Sequence, residues 1–271
     1  MILSTRYMLS IVILIVTFHP IIIHGQSVDA KPDKDAFLLR PLPSSSTFKP
    51  YLIGGFPPDP LRWPATFIFD NEECTATVVG PRTVLTAAHC LSTTSGSISV
   101  DGVYVPLSCT MNPSYPADIT ADVALCEASV LISSTNLKYD VVNENPREVR
   151  PQDEVILLGY GCTSDGANDF GVLMEGSSTV TRVPVNFQRY ELTGGARLCD
   201  GDSGGGAYKL VGTADPKPIL VGVNEASVTG GTRSYISSTS TTDNLGFIRS
   251  WMTLNNKKIC GISPATPNCR F

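Results

Sequence analysis

The pattern of hydrophobic and polar positions begins with an apolar N-terminal run. The run starts at Met8 and is interrupted by His19 and Pro20. It is therefore shorter than the roughly 18 to 20 apolar residues that a membrane-spanning helix needs. A small residue at Gly25 suits a cleavage site, so we predict a secretory signal peptide over residues 1–25. A retained membrane anchor is the competing interpretation.

The next part of the chain, residues 26–51, is polar and contains prolines, with no hydrophobic period. We interpret it as a propeptide or flexible leader. From residue 52 onward, short runs of β-forming residues recur between turn residues, which is typical of an all-β barrel or sandwich. The predicted strands are residues 65–69, 75–79, 97–100, 154–160, 178–185 and 218–223.

One helix is predicted near the end of the chain, over residues 243–254. Four apolar side chains recur there at the 3.6-residue period and share one face: Leu245, Ile248, Trp251 and Met252. We expect this face to pack on the body of the protein, which is a structural role.

Composition and charge narrow the possible partners. Hydrophobic residues make up 42% of the chain and charged residues 17%, as in a compact globule. The net charge of −5 becomes −6 when the signal is removed, because that segment contains Arg6 and no acid. Without a basic cluster for a phosphate backbone, we expect no nucleic acid partner.

No later run is long and apolar enough to span a bilayer, so we expect a secreted, extracellular protein with no membrane contact after signal removal.

All eight cysteines follow the predicted signal, an even number in an oxidising compartment. They are Cys74, Cys90, Cys109, Cys126, Cys162, Cys199, Cys260 and Cys269. We interpret them as four disulfides. Zinc binding is the competing interpretation, but the chain has no Cys-x-x-Cys pair, so we expect no metal and no cofactor. Spacing alone leaves 105 possible pairings open.

The candidate chemistry lies in two short motifs. His89, the only histidine after the predicted signal, lies in Thr86-Ala-Ala-His-Cys90. Ser203 lies in the glycine-rich segment Gly201-Asp-Ser-Gly-Gly-Gly206. A serine hydroxyl needs a neighbouring base to attack a carbonyl near pH 7. The two motifs therefore predict a serine nucleophile with an imidazole base. The competing interpretation is an ordinary glycine-rich turn and an ordinary core histidine.

These motifs resemble those of the chymotrypsin/trypsin-family serine proteases over about residues 52–254, with the histidine preceding the serine as in that family. The resemblance implies an all-β fold of two six-stranded antiparallel barrels, chymotrypsin-like, with a C-terminal α-helix. We place the protease domain at residues 52–256 and a disulfide-bridged tail at 257–271. The implied activity is hydrolysis of peptide bonds in a protein or peptide substrate, through an acyl-enzyme intermediate.

The resemblance also implies roles for further residues. Ala121-Asp-Val-Ala-Leu125 resembles the family's Asp-apolar-Ala-Leu pattern, which makes Asp122 the third triad member. Asp118 is the alternative, but it is not followed by the apolar residues that would bury its carboxylate. The backbone N–H groups of Gly201 and Ser203 would stabilise the oxyanion.

Activation by proteolysis is a second implication. Leu52-Ile-Gly-Gly55 resembles the family's Ile-Val-Gly-Gly start, so cleavage after Tyr51 would free an α-amine at Leu52. In the family this amine pairs with the acid at the position of Asp202. We therefore predict a zymogen with an activating protease as partner. A basic residue usually precedes the cut, and this chain has Tyr51 there.

The disulfide pairing follows partly from the resemblance. The family's most widespread bridge implies Cys74 with Cys90. The stretch before Cys162 resembles a family loop beside the oxyanion turn, which implies Cys162 with Cys199. Proximity in sequence suggests the other two pairs, Cys109 with Cys126 and Cys260 with Cys269.

The substrate pocket departs from the family pattern. Trypsin-like members have an acid six residues before the nucleophile, where this chain has Arg197, so we expect no preference for Lys or Arg. Arg197, with Arg233 on the expected pocket wall, could attract an acidic side chain. Alternatively, Arg197 pairs with Glu225 or Asp200, or points to solvent.

The substrate-binding strand differs too. It reads Val-Asn-Glu-Ala-Ser through Ser227, where the family usually has Val-Ser-Trp-Gly. This keeps a second function open: a protease-like binding or regulatory module whose chemistry is unused.

Overall fold

The structure, a computed structural model, describes residues 52–70, 74–166 and 169–271. The predicted signal peptide (1–25) and leader (26–51) lie outside the described residues. Two closed antiparallel barrels of six strands each, followed by one α-helix, form the fold. The predicted fold class is confirmed. Within the described ranges, no helix is long and apolar enough to cross a membrane.

The first barrel closes through pairing of its first and fourth strands. Its strands are β1 (Thr66–Phe69), β2 (Cys74–Gly80), β3 (Thr83–Thr86), β4 (Ser95–Val100), β5 (Val103–Met111) and β6 (Ala124–Ala128). Around the barrel they run β1-β2-β3-β6-β5-β4. Short 3-10 helices precede β1 (Pro60–Arg62) and follow β3 (Ala88–Cys90).

The second barrel closes through pairing of β10 with β7. Its strands are β7 (Glu154–Gly159), β8 (Met174–Arg182), β9 (Arg189–Gly195), β10 (Gly206–Val211), β11 (Lys217–Ser227) and β12 (Arg233–Ser238). Around the barrel they run β10-β11-β12-β9-β8-β7. A hydrophobic cluster with residues from both barrels, including Leu85, Val123, Leu158 and Val223, joins the two and brings the loops of both to one interface.

The C-terminal helix α1 (Thr242–Asn255) begins and ends at residues suited to those positions. The hydroxyl of Thr241 accepts a hydrogen bond from the N–H of Asn244 (3.4 Å), and Asn256 takes the left-handed conformation that ends the helix. Ile248 and Trp251 are buried against the inter-barrel cluster, as the periodicity predicts.

All six strands predicted from the sequence form, but one is displaced and six others were missed. Strand β8 covers 174–182 rather than 178–185, because Pro184 has no N–H with which to continue a ladder. The missed strands are β3, β5, β6, β9, β10 and β12. In β9, for example, only Tyr190 and Leu192 are apolar, so the hydrophobic signal of the strand is short.

The C-terminal tail, residues 257–271, is fastened to the rest of the domain. The N–H of Cys260 donates to the carbonyl of Val79 (2.8 Å). Near its end, Arg270 donates to the buried carboxylate of Asp140 (3.0 Å) and its guanidinium lies 4.6 Å from the centre of the Trp63 ring. The tail therefore completes the packing of the domain.

Candidate active site

The structure brings Asp122 to His89. The imidazole Nδ1 lies 2.5 Å from one carboxylate oxygen of Asp122, and the backbone N–H of His89 donates to the other at 2.8 Å. The carboxylate is almost completely buried, whereas the imidazole is 35% exposed. Asp118, the alternative, accepts hydrogen bonds from the N–H and hydroxyl of Thr120 within its own turn. The geometry therefore favours Asp122 as the acid that orients the imidazole.

The environment of His89 raises the pKa of its imidazole above the ordinary value of 6.5. Burial by itself lowers this pKa. The hydrogen bond and the charge of Asp122 more than offset that effect, and the charge of Glu225 adds to them. The surroundings thus favour the protonated imidazole, the form that a general base reaches during catalysis.

The turn that carries Ser203 packs directly against the segment that leads to His89. The carbonyl of Ser203 accepts from the N–H of Thr75 (2.8 Å). A Cβ on Gly204 would lie 2.2 Å from the Thr86 hydroxyl, so only glycine allows this close approach. Among the described residues the Ser203 hydroxyl makes no hydrogen bond. Hydrogen bonds of this kind often close only when substrate binds.

The two predicted oxyanion donors are unpaired in the turn. The N–H groups of Gly201 and Ser203 find no acceptor within the described ranges, whereas their neighbours Asp202, Gly204 and Gly205 all donate to backbone carbonyls. Gly201 has φ +91°, and a Cβ there would lie 2.8 Å from the Cα of Gly161. The N–H groups on either side of Asp202 are therefore without an acceptor among the described residues.

Asp202 is completely buried beside this turn. Its carboxylate accepts from the backbone N–H groups of Gly161 (2.9 Å) and Cys199 (2.8 Å). No Arg, Lys or His of the described residues forms an ion pair with it. Burial raises the pKa of Asp202 to about 7, against the lowering effect of the two backbone hydrogen bonds. A buried carboxylate that is ionised is stabilised by a nearby cation.

Leu52, the predicted partner of Asp202, is also completely buried, in the hydrophobic core of the second barrel. The next residue is held there as well, since the carbonyl of Ile53 accepts from the N–H of Arg197 (2.8 Å). In the uncut chain the nitrogen of Leu52 is part of a peptide bond and carries no charge. The predicted pair therefore depends on cleavage.

Arg197 is buried and has a partner that the sequence did not suggest. Its guanidinium lies 2.6 Å from the carboxylate of Asp165 and also contacts the Ser227 hydroxyl (3.4 Å) and the Val228 carbonyl (3.2 Å). It therefore pairs with neither Glu225 nor Asp200 and does not point to solvent. The hydrogen bond from Arg197 lowers the pKa of Asp165, so this carboxylate is ionised at neutral pH.

The other two predicted pocket residues have different partners. Arg233 is half exposed and lies 3.4 Å from the carboxylate of Glu191. Its charge is therefore already paired and does not add to that of Arg197 in attracting an acidic side chain. Glu225 is buried and paired with Arg189 at 2.5 Å. Neither Asp165 nor Arg189 was identified from the sequence, because each lies more than 30 residues from its partner along the chain.

All four predicted disulfides are present. They join Cys74 to Cys90, Cys109 to Cys126, Cys162 to Cys199, and Cys260 to Cys269. The first fastens the histidine segment to β2, and the third holds the Ser203 turn against the loop after β7. Ligand atoms of Cys74, Cys90 and His89 lie within 4.8 Å of one another. The two sulfurs are bonded to each other and so cannot act as thiolate ligands.

Comparisons with known proteins agree with this fold. The family model named Trypsin matches residues 52–244. The structure of human heparin binding protein superposes with a TM-score of 0.59, at 18% identity over 79% of this chain and 100% of that one. A mutant of the same human protein gives a TM-score of 0.60 at 17% identity, over the same shares. Such identities show the fold alone. No curated protein matches the sequence. The extent of the family match shows that this chain belongs to the trypsin family.

Proposed function

We propose that this protein is a secreted serine endopeptidase that is made as a zymogen. The observation that carries the proposal is the Asp122–His89 pair, together with a Ser203 turn that packs against the segment before His89. In this turn the N–H groups of Gly201 and Ser203 have no acceptor among the described residues. A buried carboxylate on Nδ1 leaves Nε2 as the proton acceptor. The four disulfides and the predicted signal peptide support secretion.

The mechanism follows from these contacts. The Ser203 oxygen attacks the substrate carbonyl while His89 takes the hydroxyl proton. The negative charge that develops on the carbonyl oxygen is stabilised by the N–H groups of Gly201 and Ser203. His89 then gives its proton to the departing amine, which leaves an acyl-enzyme. Water attacks this ester with His89 again as base, and Ser203 is regenerated.

The zymogen proposal is supported by the buried carboxylate of Asp202. Its ionised form lacks a cationic partner among the described residues of the uncut chain. Cleavage between Tyr51 and Leu52 would create an α-amine next to a side chain that is already buried in the second barrel. Pairing of that amine with Asp202 would stabilise the turn that presents Gly201 and Ser203. An extracellular activating protease is therefore the expected partner.

Labelling by a fluorophosphonate, which reacts with an activated serine, tests both parts of the proposal. Residues 47–51 are replaced by a site for a protease that cuts directly before Leu52. We expect the cut chain to be labelled and the uncut chain to react at least about 10² times more slowly, because the turn with the oxyanion donors lacks the stabilising ion pair of Asp202. The cut Ser203→Ala protein should not react.

Each other result has a defined meaning. Equal labelling of cut and uncut chains would show that Asp202 has another partner and that cleavage is not a switch. Absence of labelling in both would favour the second candidate. A further control is the cut Asp202→Asn protein, which should react as slowly as the uncut chain, because an amide cannot pair with the α-amine as an ion.

The second candidate is a binding module on a protease fold. It is favoured by the similarity to a structure whose name describes heparin binding. Heparin is a polyanion, and this chain has a net charge of −5. Polyanion binding depends on a basic surface. A heparin-like ligand therefore fits this chain less well than a peptide substrate does.

Substrate preference gives a separate prediction for Asp165. If Arg197 lies at the base of the pocket, Asp165 neutralises the charge that an acidic substrate side chain would need. Asp165→Asn should therefore raise kcat/KM for substrates with Glu before the scissile bond, relative to Gln, by about tenfold. Asp215→Asn, which affects an exposed pair with Lys217, is the matched control. An unchanged ratio would place Arg197 outside the pocket.

A further inference from the structure

Thr75, a completely buried residue of β2, contacts the turn that carries Ser203 with both its side chain and its backbone. Its hydroxyl donates to the carbonyl of Gly201 (2.8 Å) and accepts from the backbone N–H of Tyr160 (3.0 Å), in the loop after β7. Its own N–H donates to the carbonyl of Ser203 (2.8 Å). A single residue of the first barrel therefore contacts both residues whose N–H groups are the proposed oxyanion donors.

The hydroxyl contact holds the peptide that follows Gly201. The carbonyl of this peptide accepts from Thr75, and its N–H, that of Asp202, donates to the carbonyl three residues earlier (3.1 Å). The peptide before Gly201 is held by the carbonyl of Asp200, which accepts from the N–H of Cys162 (2.8 Å). Glycine adopts positive and negative φ with similar ease, and Gly201 has φ +91°. Contacts on the two neighbouring peptides, rather than the residue itself, therefore fix the direction of its N–H.

The peptide that follows Ser203 is held on both edges too. Its carbonyl accepts from the N–H of Thr75, and its N–H, that of Gly204, donates to the carbonyl of Asn224 (2.9 Å). These two contacts use backbone atoms, so they do not depend on the side chain at position 75. A substitution of Thr75 can therefore remove the hydroxyl contact to Gly201 and leave this second support intact.

Thr75 is connected to the histidine segment as well. Its carbonyl accepts from the hydroxyl of Thr86 (3.0 Å), three residues before His89. The preceding residue, Cys74, forms the disulfide with Cys90. The start of β2 thus links the turn to the segment that carries the imidazole.

We propose that Thr75 is a positioning residue for oxyanion binding: its hydroxyl holds the carbonyl of Gly201 and so keeps the N–H of Gly201 in the orientation that binds the oxyanion. This inference rests on the proposed function, in which the N–H groups of Gly201 and Ser203 stabilise the oxyanion. The hydroxyl contact exists in the uncut chain, so it acts independently of the ion pair proposed for Asp202. Because Thr75 contacts backbone atoms of the turn, its effect on the reaction passes through Gly201.

Thr75→Val is the direct test, because it replaces the hydroxyl by a methyl group of similar size and keeps the backbone contacts. In the cut protein we expect kcat for a peptide substrate to fall by about 10-fold to 100-fold, less than the loss of a donor itself, with KM unchanged. The oxyanion is absent from the bound substrate, so its stabilisation affects kcat and not substrate binding. Thr75→Ser keeps the hydroxyl and should restore most of kcat.

Thr77→Val is the matched control. Thr77 lies two residues further along the same strand and is also buried. Among the described residues, its hydroxyl forms no hydrogen bond with the turn or with Tyr160. We expect its replacement to leave kcat and KM at wild-type values. Equal losses in Thr75→Val and Thr77→Val would attribute the effect to the strand as a whole and overturn the inference.

Amide hydrogen exchange of the uncut chain gives a readout that needs no activity. Loss of the hydroxyl leaves the N–H of Tyr160 without its acceptor and releases one edge of the peptide after Gly201. We expect the amides of Tyr160 and Asp202 to exchange at least about tenfold faster in Thr75→Val than in the wild type, and at the wild-type rate in Thr75→Ser. If Thr75→Val does not fold, Thr75→Ala, which puts no γ-methyl group against the carbonyl of Gly201, replaces it in both measurements.

The two readouts separate this inference from the proposed function. If the wild type is not labelled by the fluorophosphonate but Thr75→Val exchanges faster, the proposed function is wrong and the hydroxyl still holds the turn. If the wild type is active and Thr75→Val keeps the wild-type kcat, the proposed function stands and the role of Thr75 is wrong. Unchanged exchange in a folded Thr75→Val protein would contradict the inference in either case.

Discussion

Ser203→Ala and His89→Ala are each expected to lower kcat for peptide hydrolysis by about 10⁶, while leaving the fold unchanged. In the proposed mechanism the Ser203 oxygen forms the acyl bond, and His89, the only histidine after residue 24, takes the proton of the Ser203 hydroxyl. Because the two residues act as one unit, the double variant should lose no more than either single variant. The measurement is the kcat of cleaved, purified protein on a peptide substrate.

The structure supplies the control for folding. Both side chains are partly exposed, so truncation leaves no large cavity. Thermal unfolding and circular dichroism of the variants should therefore match the wild type. Wild-type turnover in either folded single variant would exclude the proposed pair as the catalytic unit.

Asp122→Asn should produce the next largest loss, about 10⁴ in kcat, the size that this change has in chymotrypsin-type triads. An amide in place of the carboxylate can donate to Nδ1 and so favours the wrong imidazole tautomer. It also removes the hydrogen bond and the charge that raise the pKa of His89. Since activity requires the neutral imidazole, the acid limb lies above pH 6.5 in the wild type and moves to lower pH in the variant.

The matched control for this prediction is Asp118→Asn. Asp118 is the nearest alternative acid in the sequence, and its carboxylate accepts hydrogen bonds only from Thr120 among the described residues. We expect its replacement to change kcat little. The two pH–rate profiles of kcat/KM, measured from pH 5 to 9, decide between the acids. A larger loss in Asp118→Asn than in Asp122→Asn would contradict the structural assignment.

The helix shows where local pattern suffices. The apolar period of Ile248 and Trp251 fixes the buried face of α1, because a helix places such residues on one side whatever it packs against. The strands show the limit. In β9 only Tyr190 and Leu192 are apolar, which is too short a signal to predict a strand, and pairing with β8 and β12 defines it.

The sequence by itself determined the family resemblance, the Ser203, His89 and Asp122 candidates, and the number of bridges, because short motifs and cysteine parity carry that information locally. The tertiary structure alone decided the partners of the buried charges. Arg197 meets Asp165, and Glu225 meets Arg189. These pairs bridge loops and strands that are distant in sequence, and a buried charge takes as its partner whichever opposite charge the closed barrel brings within reach.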